Sequence, residues 1–435
     1  MSDVNWPFIP GNMPEIASAE GVFLYDPDGK AILDAAGGAI VTNIGHGRER
    51  VVEKVAAATR ETTYVVPPWI TPARRALVEV LEKHWLPEAL PHIHLTSGGS
   101  ESVETAVKLA AQFHAARGEP DRSLVIARSP SYHGTTLTTA ALSGHAARKR
   151  GLESMLAAHP VVPTPYPLRA PADVSVEELG GWYAKTLEDA IAEVGSGRVA
   201  AFLAEPITGS SGGAIVPPDD YWPKIREICD RHGILLIMDE VMTGFGRIGR
   251  KFGYQHWDFT PDILVSGKGL AGGYAPLGGV FATRTIGDAI RNANMNVMFH
   301  TFGAHPAACA AAAEVLTIVV EEDLVSRAEE MGNKLQAALT ARLGQHPHVA
   351  EVRGMGLLRA VEIVRDRETL TPYDEADNVS SRVVGEGLKE GVFFYGGGTG
   401  EFRDIVCMGP PFTIDDSHVE TMADVLTTAI DRVCK

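Results

Sequence analysis

The chain has 435 residues, with 39 basic and 55 acidic side chains and a formal charge of −16. That length allows two or three domains over a large core, and 45% hydrophobic with 22% charged residues is ordinary for a soluble globular protein. So acidic a surface repels nucleic acid and anionic membranes, and no apolar run approaches the roughly 20 residues of a spanning helix, which argues against both as partners.

Along the chain, Gly21 to Asp34 reads as a hairpin, two apolar runs around Pro27-Asp28-Gly29. Helical patterns follow from about Arg48 to Arg60 and from about Thr71 to Lys83. His92-Ile93-His94-Leu95 is a short strand, and Glu101 to Arg117 a helix. Further strands are expected at Leu124–Ala127, Val199–Ala204, Gly233–Met238, Ile263–Val265 and Gly279–Ala282. These runs are apolar without alternation, as in a parallel sheet covered on both faces, so the architecture is α/β. The loop Pro160 to Val176, with five prolines, is expected to run over the surface. Beyond Ala304 the chain is helical to about Gly344, and the alanines from Ala307 to Ala313 imply a closely packed helix. Val349 to Val364 and Gly391 to Phe412 read as strands of a smaller α+β unit, closed by a helix from about Ser417 to Cys434.

Cys229, Cys309, Cys407 and Cys434 are scattered without a C-x-x-C, so neither a disulfide framework nor a metal site is indicated, and a reducing cytoplasm fits. The opening Met-Ser-Asp-Val-Asn-Trp-Pro has no basic region before an apolar one, so no signal peptide is expected.

Lys268 is the most telling residue. It follows the apolar run Ile263-Leu264-Val265 and stands among Gly267, Gly269, Gly272 and Gly273. A core rarely accepts an unpaired ammonium. A lysine at a dry strand end can lose its proton and attack a carbonyl, the chemistry of a Schiff base to pyridoxal phosphate. Taken alone, the segment fits a phosphate-binding or merely solvated lysine better, and the rest of the sequence reverses that.

Other strand ends carry candidates of their own. Ser97-Gly98-Gly99-Ser100-Glu101 opens a helix, where free N–H groups and the helix dipole suit an anion, although Ser100 could be a plain N-cap. Tyr132, in Ser131-Tyr132-His133-Gly134, could lie on a cofactor ring or be an ordinary turn tyrosine. Asp239 ends the run Leu235-Leu236-Ile237-Met238 and needs a cation, such as a protonated pyridine nitrogen, with Val241 placed to pack on the ring. A metal ligand or capping carboxylate would explain Asp239 as well. Glu205 ends a fourth strand. Open α/β sheets bind ligands at this carboxyl edge. Gly244-Phe245-Gly246-Arg247-Ile248-Gly249 matches G-x-G-x-x-G, but Asp239 to Thr243 separate it from the strand and no clear helix follows, so a dinucleotide fold is rejected.

The order of these motifs resembles the class III aminotransferases, pyridoxal-phosphate enzymes of fold type I (the aspartate-aminotransferase fold), over nearly the whole length. The strongest parts are Leu236 to Arg247 and Ser266-Gly267-Lys268-Gly269, with Gly98-Gly99-Ser100-Glu101, Tyr132-His133-Gly134 and Glu205-Pro206-Ile207 in place. The resemblance implies a large, mostly parallel sheet domain over residues 61–315. A small domain would combine 1–60 with 316–435. It implies pyridoxal 5'-phosphate bound to Lys268, which also shuttles the proton, with Asp239 on the ring nitrogen. Gly98, Gly99 and Ser100 would hold the phosphate. Tyr132, His133, Val241 and Glu205 would surround the ring. Thr301, in His300-Thr301-Phe302-Gly303, would reach the phosphate of a second subunit, giving a homodimer, or a tetramer of such dimers. By composition alone, Thr301 is a helix N-cap.

Substrate residues depart from the pattern. Ile40 stands where relatives often carry an aromatic residue, and Tyr64 and Trp69 could line the pocket instead or form a core pair. Many relatives place an arginine shortly before the pair that is here Pro410-Pro411. Arg403 is the candidate, further upstream than expected, either gripping a substrate carboxylate or pairing with Asp404 or Glu401. Glu205 would neutralise such an arginine when no carboxylate is bound. The expected activity is ping-pong transfer of an amino group from an amine or ω-amino acid to a keto acid such as pyruvate. A racemase, decarboxylase or lyase on the same cofactor, and a non-catalytic binding protein, are the rivals.

Overall fold

The computed structural model describes residues 14–434. The opening heptapeptide of the signal-peptide expectation lies outside them. The core is a seven-stranded sheet ordered His92–Thr96, Gly278–Ala282, Ile263–Ser266, Leu235–Asp239, Val199–Ala204, Leu124–Ser129 and Val161–Pro163. Five of these, from Ile263–Ser266 through Val161–Pro163, are joined by parallel pairing, and His92–Thr96 points the same way. Gly278–Ala282 is antiparallel to both of its neighbours, which apolar content alone does not reveal. Val199–Ala204 and Leu235–Asp239 are buried along their whole lengths, as strands covered on both faces must be.

The Pro160 to Val176 expectation needs correction. Val161–Pro163 pairs with Ala127–Ser129 as an edge strand, and Thr164 and Tyr166 behind it are buried. Pro163 is tolerated there because an edge strand is paired on one side only.

Helices Glu49–Glu61, Pro72–Val80 and Gly99–Ala116 form close to the expected places. Ala308, Ala311 and Ala312 are buried on Pro306–Glu321, where small side chains let the helices Glu49–Glu61 and Pro72–Val80 approach closely. Two further sheets flank the core. One orders Val349–Met355, Leu358–Ile363, Ile405–Met408 and Tyr395–Gly397, all antiparallel. The other joins Ser18–Glu20, Phe23–Tyr25 and Ala31–Asp34 to Val392–Phe393, which runs parallel to Leu33 and Asp34. No described helix is long and apolar enough to cross a membrane.

Candidate active site

The carboxyl ends of three parallel strands open on one cavity of about 330 Å³. Glu205 follows Val199–Ala204, Asp239 closes Leu235–Asp239, and Lys268 follows Ile263–Ser266; all three line the cavity. Parallel strands in register end at the same edge, which is why residues far apart in sequence converge.

Lys268 is held with φ +39, a left-handed conformation uncommon for a residue with a side chain. The turn before it is tight. A Cβ on Gly267 would lie 3.4 Å from the backbone N and Cα of Gly99, so the lysine turn sits directly against the helix start. Burial lowers the Lys268 pKa to about 8, against the opposing pull of Asp239 and Glu205. An amine so tuned is a nucleophile near neutral pH.

Asp239 Oδ2 accepts from His133 Nδ1 at 2.8 Å, and Oδ1 accepts the Val241 N–H at 3.1 Å. Both side chains, Asp239 and His133, are almost wholly buried. The neighbouring acid, Glu240, is turned the other way. It accepts from Gly253 N at 2.8 Å, Tyr254 N at 2.7 Å and the Thr243 hydroxyl, so it ties down the glycine-rich turn after the strand.

Opposite lies the start of helix Gly99–Ala116. Its cap position is Gly98, which makes no side-chain cap, and Ser100 lies inside the first turn. The N-cap alternative for Ser100 is therefore replaced. The first-turn N–H groups have no carbonyl inside the helix to bond, and the Ser100 hydroxyl accepts from Thr135 N at 3.1 Å with its own hydrogen free to donate. A Cβ on Gly134 would stand 2.5 Å from Ser100 Oγ, which explains the glycine after Tyr132-His133. Tyr132 and Val241 line the cavity, and the Arg148 guanidinium carbon sits 4.5 Å from the Tyr132 ring centroid.

Other candidates lie outside the cavity within one chain. Ile40 has φ +58, is 1% exposed and packs against Gly409, while its neighbour Val41 lines the cavity. Tyr64 and Trp69 are exposed rather than a core pair, and the Tyr64 ring lies 6.2 Å from that of Phe302. Thr301 is exposed as well. Arg403 faces an adjoining cavity that shares Ser210 with the first, donating to Gly400 O at 3.0 Å and to Tyr373 O, so main-chain carbonyls hold its guanidinium instead of Asp404 or Glu401. Glu205 is consequently not paired with Arg403. Val41, Ser210, Met242 and Ala275-Pro276-Leu277 complete the cavity wall. Sequence reasoning singles out none of these six. Adjacency is the available signal, since each flanks a glycine turn or a strand end.

A family model for class III aminotransferases matches residues 11–430. The chain belongs to the class III aminotransferases. A putrescine–pyruvate aminotransferase of Pseudomonas aeruginosa is 34% identical, over 96% of this chain and 90% of that protein. An omega-aminotransferase of Caulobacter vibrioides is 32% identical over 96% and 93%. Among solved structures, an amine transaminase from an uncultivated Pseudomonas species, in its pyridoxal-phosphate-bound form, superposes with a TM-score of 0.93 at 36% identity, covering 99% and 98% of the two chains. Class III aminotransferases depend on pyridoxal phosphate, and these neighbours share fold type I. The cavity fits that cofactor. It has a lysine of lowered pKa for the aldehyde, unspent helix-start donors for a phosphate, a buried carboxylate for a ring nitrogen, and a glycine at position 99 whose Cβ would press on Val241 at 3.0 Å.

Proposed function

We propose that this class III aminotransferase moves an amino group from a primary amine or ω-amino acid to a keto acid such as pyruvate by ping-pong chemistry. The observation that carries the reading is the placement of Lys268 and Asp239 in one cavity against the open helix start at Gly99. Bound pyridoxal phosphate supplies a carbonyl that captures the amine and a ring that accepts electrons. In this reading Lys268 first anchors the cofactor. Once the donor displaces it, its free amine takes the proton from the donor carbon and later returns one. Asp239, steadied by His133, keeps a proton on the ring nitrogen. Gly98, Gly99 and Ser100 bind the phosphate, and Tyr132 and Val241 border the ring. The names of the relatives above, amine and putrescine transaminases among them, support the substrate class.

The working unit in this reading is a homodimer. Trp69, Ile70, Met298 and Phe302 are large apolar side chains at least 60% exposed in one chain, a surface that calls for a partner. Thr301 sits among them, where it would reach the phosphate held by the other subunit. All four cysteines are free and buried, which supports a reducing compartment, the cytoplasm.

The test is formation of alanine from pyruvate in step with loss of the donor amine, together with borohydride reduction and peptide mapping. Labelling at Lys268 and a one-to-one nitrogen balance support the reading. An unlabelled Lys268 peptide, or carbon dioxide or racemised donor in place of alanine, refutes it.

A further inference from the structure

Lys268 stands on a turn that its own residues do not hold alone. The lysine keeps φ +39 between Gly267 and Gly269, a conformation strained for a residue with a side chain. Inside the turn, Leu270 N donates to Gly267 O at 2.9 Å and Gly272 N donates to Lys268 O at 3.0 Å. The carbonyl of Gly269 finds its partner 226 residues away, where Asn43 Nδ2 donates to it at 2.9 Å.

Asn43 is a rigid post. It is 1% exposed, and its Oδ1 accepts the Ile44 N–H at 2.9 Å, which fixes the amide with its nitrogen towards Gly269. Its main-chain oxygen accepts from Phe412 N at 2.7 Å, and that of Thr42 before it accepts from Arg247 at 2.9 Å. Gly272 closes the arrangement from the other side, since a Cβ there would lie 2.4 Å from Asn43 Oδ1. A strained φ persists only where its surroundings over-determine it. Without Asn43 the Gly269 carbonyl loses its partner, and the turn can relax. Relaxation redirects the Cα–Cβ bond of Lys268 and lets water reach the amine.

We propose that Asn43 is the positioning residue of Lys268, locking the turn that aims the amine into the cavity and keeps it dry. This rests on Lys268 as the lysine that bonds the cofactor. Asn43 does not itself line the cavity, so its influence passes through the turn. Burial is what lowers the Lys268 pKa, and a loosened turn therefore raises it towards the ordinary value.

Two variants test this in the full chain freed of cofactor. Asn43→Ser can still accept from Ile44 N but is too short to reach Gly269 O. Asn43→Asp keeps the shape of the amide and loses the donor once ionised. Imine formation with pyridoxal 5'-phosphate at about pH 7 should slow by about tenfold or more in both, because a rise of about one unit in the lysine pKa removes that share of free amine. Binding of pyridoxamine 5'-phosphate, which has no aldehyde for a lysine, should change by less than about threefold. Competitive labelling of Lys268 with acetic anhydride against pH, read by peptide mapping, should show the same upward shift with no cofactor present. An unchanged rate in both variants overturns the proposal. So does an equal weakening of pyridoxamine phosphate binding, which would mark general damage to the cavity. A loss confined to Asn43→Asp would be a charge effect and overturns it as well. If the unaltered protein forms no imine at Lys268, the reading of the site has failed, and the labelling shift still decides whether Asn43 governs the lysine.

Discussion

His133 Nδ1 lies 2.8 Å from Asp239 Oδ2, and the pair is sealed from solvent at the end of a central strand. The histidine fixes the carboxylate so that its other edge stays available to the cavity. Asp239→Asn should lower the rate of the first half-reaction by roughly a hundredfold to a thousandfold, the scale of losing a preorganised charge. His133→Ala removes only the support and should cost about ten- to a hundredfold. Stopped-flow loss of the cofactor's imine absorbance measures both. Equal losses would mean that Asp239 acts without help.

Lys268 should make cofactor loading pH-dependent. With its pKa lowered to about 8, the reactive free amine grows roughly tenfold per pH unit below that value and levels off above it. The rate of imine formation in cofactor-free protein, followed by absorbance between about pH 6 and pH 10, should show that break. A rate still rising steeply at the alkaline end of that range would place the amine in an ordinary solvated setting.

Gly134 has no room for a methyl group and carries φ +137. Gly134→Ala should destabilise the protein by about 1–3 kcal/mol and weaken cofactor binding, because Ser100 must move. Gly385, on helix Val379–Lys389 with nothing within 4 Å of its Cβ site, is the contrasting case. Gly385→Ala should stabilise by up to about 1 kcal/mol. Urea unfolding of both variants tests the pair, and similar destabilisation would remove the steric explanation.

Arg353 braces the loop behind Glu205. Its guanidinium donates to Gly213 O at 2.6 Å and Gly212 O at 2.8 Å, and pairs with Glu362 at 2.7 Å. Glu362 also pairs with Arg169 and accepts from the Tyr166 hydroxyl, so it keeps a cation when Arg353 is lost. Arg353→Met should therefore cost about 1–3 kcal/mol, chiefly by leaving the carbonyls of Gly212 and Gly213 unmatched. Urea unfolding measures this, and a loss of about 5 kcal/mol would show that the ion pair with Glu362 dominates.

Glu240 should leave a signature in the acid range. Burial raises its pKa from 4.5 to about 7. The folded state then binds the proton more tightly than the unfolded chain, so this stabilisation is complete below pH 4.5 and is lost as pH rises through about 7. Glu240→Gln should flatten that part of the stability curve, read as melting temperature against pH. An unchanged curve would assign the slope to another group.

Much of the site is legible in the sequence because strands buried on both faces are conspicuous, and the polar residues at their ends stand out against them. Asp239, Glu205 and Lys268 are found in this way. Val41 escapes notice in favour of Ile40 because both are apolar neighbours in an irregular turn, and apolar residues give no sign of which one faces the cavity. Met242 and Leu277 escape because wall positions have no chemistry of their own. Arg403 stands out as the arginine of its loop, but the carbonyls of Gly400 and Tyr373 that hold it are decided by folding. Strand order, including the reversed Gly278–Ala282, is set by long-range pairing and leaves no local trace.

The parallel pairing of Val392–Phe393 with Leu33–Asp34 bears on biogenesis. During synthesis the first hairpin emerges from the ribosome long before the strand that completes its sheet exists. Such distant pairing is slow, and the unfinished edge stays open to neighbouring nascent chains until then. Slowing translation near the 3' end of the message should therefore lower the soluble yield more than slowing it early.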